Sequence, residues 1–159
     1  MRVAAREASP DDIDVLVSLY RSLEEEMVGL HPMWHLADGL AEPVDESFAE
    51  ALRHPDVIVL IGEIDDIPFG FLLARIETLL YQAGDERIGA IRLIFVDHEA
   101  REVAVGEGMR DMALEKLRKR GVTKFDAHVL PGHRLAKNFF EAGGFSARSI
   151  VMHHDDNRE

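Results

Sequence analysis

The chain of 159 residues has no cysteine, 47% hydrophobic and only 7% aromatic residues. This excludes disulfides, thiolate catalysis and cysteine-held zinc, and leaves an aliphatic core for one domain, 1–159. A formal net charge of −12, from 30 acidic and 18 basic residues, disfavours nucleic acid and anionic lipid as partners and leans toward a cationic one.

Residues 3–7 suit a short first strand. Ser9-Pro10-Asp11-Asp12 starts a helix: serine caps, proline fits the first turn, and the acids favour the positive helix end. Ile13, Leu16, Val17, Tyr20, Leu23 and Met27 then share one helical face. Glu24-Glu25-Glu26 falls at the far end, where the helix dipole disfavours acids, and marks either a recognition edge or solvated surface. Residues 30–44 are the least regular stretch and hold His31, Met33, Trp34 and His35, a substrate-pocket wall or a loop pinned by one aromatic. Asp45 is expected to cap a short helix that stops at His54-Pro55. The apolar runs 57–63 and 68–76, parted by Asp65-Asp66, predict a hairpin, and 88–96 predicts a third strand.

Strand 88–96 leads into Arg101-Glu102-Val103-Ala104-Val105-Gly106-Glu107-Gly108-Met109, with small residues at positions 104, 106 and 108. The following helical pattern puts Val105, Met109, Met112, Ala113 and Leu117 on its core face, crowds cations into its last turn and ends at Gly121. A helix start carries unpaired N–H groups and partial positive charge, and small residues let an anion approach them. The stretch therefore suits a phosphate cradle; a tight turn whose glycines serve packing is the other reading. A strand over 124–130, a turn at Pro131-Gly132, a helix over 133–142 with Leu135, Ala136, Phe139 and Phe140 on one side, and a last strand over 145–152 complete the order. That order is strand, helix, helix, three strands, helix, strand, helix, strand: an α+β layout with antiparallel hairpins in the middle. No apolar run reaches membrane-spanning length and the N-terminus lacks a signal-peptide core, so the expected location is cytoplasmic.

The element order and two motifs resemble the GNAT N-acetyltransferase superfamily. Arg101-Glu102-Val103-Ala104-Val105-Gly106 resembles its acyl-CoA pyrophosphate motif. The segment from Ala127 through Asn138-Phe139-Phe140 to Gly144-Phe145 resembles its closing strand, turn, aromatic-paired helix and Gly-Phe. The resemblance implies a GNAT-like fold, a central mixed and mostly antiparallel sheet flanked by helices. It implies acetyl-CoA as co-substrate, with direct attack by a primary amine of a small molecule or lysine. Pyrophosphate would lie on the backbone of Val103, Ala104, Val105, Gly106, Glu107 and Gly108, beside Arg101 and Met109. Pantetheine would run along Phe95 and Val96, with His133, Asn138 and Phe140 completing the cofactor-binding set.

Three departures from the family pattern matter. Ala104 stands for its first glycine, which a negative φ would tolerate. Phe140 stands where the family often has a tyrosine acid, so His133, Tyr81 or water would have to supply the proton. The strand before the cradle carries Arg92 and Leu93 rather than an acid, which leaves Glu77, Asp97, His98 or His128 as candidate bases acting through water. Glu77, His128 and His133 form the catalytic set. His153-His154 and His31/His35 lack metal-site spacing, so no metal is expected. Two alternatives stand beside catalysis. One is an acyl-CoA-binding sensor or interaction module with little activity. The other is a Rossmann-type domain, disfavoured because the cradle lies late in the chain and lacks Gly-x-Gly-x-x-Gly. Exposed edge strands would permit a homodimer.

Overall fold

A computed structural model describes residues 1–30, 39–130 and 133–157, apart from the Tyr81 side chain. Trp34, His31, Met33, His35 and the Pro131-Gly132 turn lie outside the described residues.

Five strands, β1 (Val3–Glu7), β2 (Val57–Ile64), β3 (Ile67–Thr78), β4 (Arg87–Val96) and β5 (Phe125–Ala127), form one sheet in the order β1-β2-β3-β4-β5. Every pairing is antiparallel except β4 with β5, which is parallel. The β2–β3 hairpin turns through Asp65 and Asp66, both at positive φ, the conformation a two-residue hairpin turn needs. Helices α1 (Ile13–Leu30) and α2 (Val44–Arg53) cover one face, and α3 (Val105–Lys119) and α4 (Arg134–Ala142) belong to the other.

The central strands β2, β3 and β4 are largely apolar because both faces are covered. On the α1–α2 face, Leu16, Tyr20, Leu23, Met27 and Phe48 pack on Val59, Ile61, Phe71, Leu73, Leu93 and Phe95. On the other, Val105, Met109, Ala113 and Leu117 of α3 pack on Ile58, Leu60, Leu72, Ala74 and Ile91. Two glycines let α3 sit this low. A Cβ on Gly62 would stand 2.5 Å from Val105 Cγ1, and one on Gly89 would stand 2.6 Å from Leu117 Cδ1. These contacts pin both the start and the end of α3 against the sheet.

Four expectations need correction. Residues 145–152 are not a strand; the segment has no regular secondary structure and no sheet partner among the described residues. Its β-branched residues favour a strand, but strand formation needs a neighbouring edge as well as propensity. Strand β5 ends at Ala127, so His128 lies just past it rather than mid-strand. The second helix has Pro43 at its N-cap, and Asp45 lies within the first turn, where it still favours the helix dipole. Leu135 is 68% exposed, whereas Phe140 is buried, because α4 turns only its Phe139–Phe140 side inward.

Candidate active site

The site begins with an irregularity in β4. Leu73 of β3 faces Leu93, but the next residue, Ala74, faces Ile91. Arg92 is thus the extra residue of a β-bulge, which switches the direction in which later backbone groups point. Before the bulge, β4 bonds toward β5: Gly89 N–H donates to the Lys124 carbonyl, and the Ile91 carbonyl accepts from His128 N–H. After it, Asp97 N–H donates to the Phe69 carbonyl and Phe95 stands opposite Phe71. By alternation, the backbone groups of Ile94 and Val96 turn away from β3. Strand β5 pairs only with Gly89, Ala90 and Ile91. A split opens between β4 and β5, and one wall of it is a strand edge able to take an extended ligand.

The split leads to the start of α3. The N–H groups of Val105, Gly106 and Glu107 have no intrahelical acceptor by construction, and that of Gly108 is bonded to the Ala104 carbonyl at 3.1 Å. A Cβ on Gly106 would lie 3.2 Å from Phe139 and 3.5 Å from Val96, whereas one on Gly108 meets nothing within 4 Å. So Gly106 lies where α3, α4 and the end of β4 converge, and Gly108 faces open space. The side chains of Val105 and Met109 are buried in the core, so what these two residues offer a ligand is backbone.

Ala104 departs from expectation: its φ is +62°, the left-handed region. The chain must turn sharply between the 3-10 turn His98–Ala100 and α3, and the residue at that corner takes the strain. Left-handed geometry costs a non-glycine residue roughly 1–2 kcal/mol. Glycine's extra freedom in the unfolded chain offsets roughly 0.5–1 kcal/mol of any gain. Ala104→Gly is therefore expected to stabilise by about 0.5–1 kcal/mol, a thermal midpoint rise of about 1–4 °C in a melting experiment; a lower midpoint would count against strain at this corner.

Arg101 does not reach toward the helix start. Its Nε donates to the Val96 carbonyl at 2.8 Å, its other nitrogen meets Glu26 of α1 at 2.5 Å, and its guanidinium lies 5.7 Å from the Phe95 ring centre. Within the acidic run of α1, Glu26 is thereby explained as the partner of a cation brought from 75 residues away. His133, at the N-cap of α4, feels this pair. Burial lowers its pKa, Glu26 raises it and Arg101 lowers it, with burial the largest effect. The net shift is downward from 6.5, so His133 is neutral at pH 7 and suited to accept a proton.

Glu77 and His128 come together through Arg92. Arg92 Nε donates to Glu77 Oε2 at 2.9 Å, a second guanidinium nitrogen bonds the other carboxylate oxygen, and Nη1 lies 3.2 Å from His128 Nδ1. This trio stands at the bulge, where β5 leaves β4. Asp97 accepts from Glu99 N–H at 3.1 Å as the cap of the turn after β4, and His98 is exposed on that turn. Asn138 is exposed on α4. Phe140 is buried and packs edge-on against Phe139 and Phe145, with no proton to give. The Tyr81 side chain lies outside the described part.

Sequence reasoning missed Arg92, Glu26 and Arg110. Arg110 lies 4.8 Å from the Phe139 ring centre and donates to the Phe139 carbonyl at 3.1 Å, tying α4 to α3. The one sequence signal for Arg92 was a cation inside an otherwise apolar strand.

The sequence matches the Acetyltransferase (GNAT) family over residues 16–145. No curated protein matches it. Similar solved structures include AAC(6')-Iy in complex with the bisubstrate analogue CoA-S-monomethyl-acetylneamine, at 17% identity, with 99% of this chain and 100% of that one covered and a TM-score of 0.75. A predicted acetyltransferase with acetyl-CoA from Clostridium acetobutylicum is 17% identical, with 97% and 96% covered and a TM-score of 0.72. The ribosomal-protein-alanine N-acetyltransferase from Brucella melitensis biovar Abortus 2308 is 16% identical, with 97% and 100% covered and a TM-score of 0.72.

Proposed function

Because the chain belongs to the GNAT acetyltransferase family, we propose that it transfers an acetyl group from acetyl-CoA to a primary amine, of a small molecule or a lysine, by direct attack. The observation that carries this reading is the continuity of the β4 edge at Ile94 and Val96 with the start of α3 at Gly106. An edge for an extended arm meets helix N–H groups for an anion, and acetyl-CoA has both an extended amide-bearing arm and a pyrophosphate. Both solved relatives named above with a CoA-type ligand share the fold.

When bound, the co-substrate supplies a thioester with a good sulfur leaving group. The chain's own residues do the rest. Val105, Gly106 and Glu107 hold the pyrophosphate through backbone N–H groups. Ile94 and the N–H of Val96, whose carbonyl is held by Arg101, pair with the pantetheine arm, which fixes the thioester beside the split. The amine enters from the α1–α2 side. Holding both substrates in one geometry supplies much of the rate. His133, neutral at pH 7, takes the ammonium proton through water.

The relatives named above act on unlike amines, an aminoglycoside-type ligand in one and a ribosomal-protein alanine in another. For this chain, a net charge of −12 favours a small cationic amine, and the setting is the cytoplasm. The sensor alternative draws support from Phe140, which has no hydroxyl where an acid would serve. Calorimetric titration with acetyl-CoA, with desulfo-CoA and NAD as controls, followed by an amine panel, separates the readings. Binding plus turnover supports the transferase; binding without turnover supports the sensor; no binding overturns both.

A homodimer fits the exposed C-terminal segment. Ile150, Val151 and Met152 are 76%, 87% and 88% exposed, and Arg148 seats the segment on Asp126 of β5 at 2.7 Å. A second copy would cover the apolar residues and extend that edge. Analytical ultracentrifugation is expected to show a dimer that Val151→Lys converts to monomer; a monomeric parent protein would exclude it.

A further inference from the structure

We propose that Arg92 is a positioning residue: it holds His128 in the tautomer with hydrogen on Nε2, and His128 thereby serves as a neutral hydrogen-bond donor to the thioester oxygen rather than as a base. The proposal rests on the acetyl-transfer reading above.

A guanidinium has five N–H donors and no acceptor lone pair. A contact of 3.2 Å between Arg92 Nη1 and His128 Nδ1 is a hydrogen bond only if Nδ1 accepts. A neutral imidazole has one ring hydrogen, so it must sit on Nε2. Arg92 is held in turn, with Glu77 taking two of its other nitrogens. The bulge is what presents the residue. The β3–β4 register shifts at Arg92, with Leu73 opposite Leu93 and Ala74 opposite Ile91. Neighbouring Ile91 ends the β4–β5 ladder by accepting His128 N–H at 3.1 Å. Backbone and side chain of His128 are therefore both fixed at the apex of the split, and the residue remains exposed there.

This assigns roles that the histidines alone leave open. Nδ1 of His128 is engaged and Nε2 already bears hydrogen, so His128 has no site for an incoming proton. His133 is the neutral proton acceptor. Phe140 supplies no proton, and that task falls to His133; His128 Nε2–H serves the carbonyl oxygen only. As the amine lone pair forms the C–N bond, the carbonyl π pair moves to oxygen, where the Nε2–H bond strengthens. The oxyanion then collapses, the C=O bond re-forms, and the C–S pair leaves with sulfur. The ammonium proton passes through water and His133 to the thiolate. His128 keeps its hydrogen throughout, so the products are the amide and free CoA.

The test is ring 15N NMR of histidine-labelled protein, with the His128 signals assigned from their loss in His128→Gln. The expected result is the Nε2–H pattern in the parent protein, a shift toward Nδ1–H in Arg92→Met, and recovery in Arg92→Lys, whose ammonium is also a pure donor. Turnover should follow, with kcat about 10–100-fold lower in Arg92→Met, KM for acetyl-CoA unchanged, and partial recovery in Arg92→Lys. Glu77→Gln, which loosens Arg92 without emptying its place, should fall between. An Nδ1–H tautomer in the parent protein, or a tautomer indifferent to residue 92, overturns the proposal. Unchanged kcat with a changed tautomer overturns the donor role. The NMR needs no acetyl-CoA, so a failure of acetyl-CoA binding would sink the transferase reading and leave the tautomer assignment to be judged separately.

Discussion

Arg101→Met is expected to destabilise the protein by about 2–3 kcal/mol while changing acetyl-CoA affinity little. Arg101 and Glu26 are 25% and 15% exposed at their side chains, so the pair is mostly withdrawn from water. Removing one member of a fully buried pair costs roughly 3–5 kcal/mol, largely because the other charge is left unpaired. Partial exposure reduces that figure here. The substitution also removes the bond to the Val96 carbonyl and the contact with Phe95. The midpoint should fall by about 5–10 °C. If Arg101 instead held pyrophosphate, affinity would fall and stability would not. A double-mutant cycle with Glu26→Gln separates the pair from the remaining contacts. Chemical denaturation of the four proteins should give a coupling of about 1 kcal/mol or more, and a coupling near zero would remove the brace between α1 and the end of β4.

That brace shows where sequence reasoning stops. Period and capping residues are local, and they served well: β1 occupies the expected residues 3–7, the Asp65-Asp66 hairpin turn is present, and α3 follows the cradle with Val105, Met109, Ala113 and Leu117 buried. Glu26 was unreadable because its partner is distant in the chain, and three acids in a row look solvated until a fold supplies a cation. The bulge at Arg92 was unreadable for a related reason. Register is a property of two strands, and one strand's composition does not show where its neighbour slips by a residue. Ala104 failed differently. Sequence names the residue but not its φ, and alanine at a left-handed corner goes against its own preference.

These misses share a location. The bulge inside β4, the strained corner before α3 and the brace from Arg101 to α1 all lie along the path from the middle of β4 to the start of α3, where the chain departs from regular pairing to open the split. Conflicts between local preference and structure are expected to collect at functional sites. The β2–β3 hairpin has its own register shift, at Gly62/Glu63 beside the Asp65-Asp66 turn, where it serves the turn rather than the split. The same logic treats the 145–152 segment as a candidate edge: its strand preference is unmet within the described chain, and a second copy would meet it.

Gly108→Glu is expected to weaken acetyl-CoA binding at least tenfold without lowering the melting temperature. A side chain at position 108 enters open space, so no core contact is lost. Within α3 glycine is a poor helix former, and its replacement gains up to about 1 kcal/mol. An acid in the first turns adds roughly 0.3–1 kcal/mol through the dipole. Folding is therefore unharmed or improved. Binding is harmed because side chains on a helix lean toward its N-terminus. The new carboxylate competes for the N–H groups of Val105, Gly106 and Glu107 and repels a pyrophosphate placed there. Gly108→Ala adds helix preference without charge and should bind almost normally. Calorimetry and melting on the two variants make the argument decisive in either direction. Loss of binding in the glutamate variant alone, with both midpoints at or above that of the parent, puts the anion at this helix start. Equal binding by both variants would mean that the pyrophosphate lies elsewhere and that the small residues of the cradle serve the turn into α3.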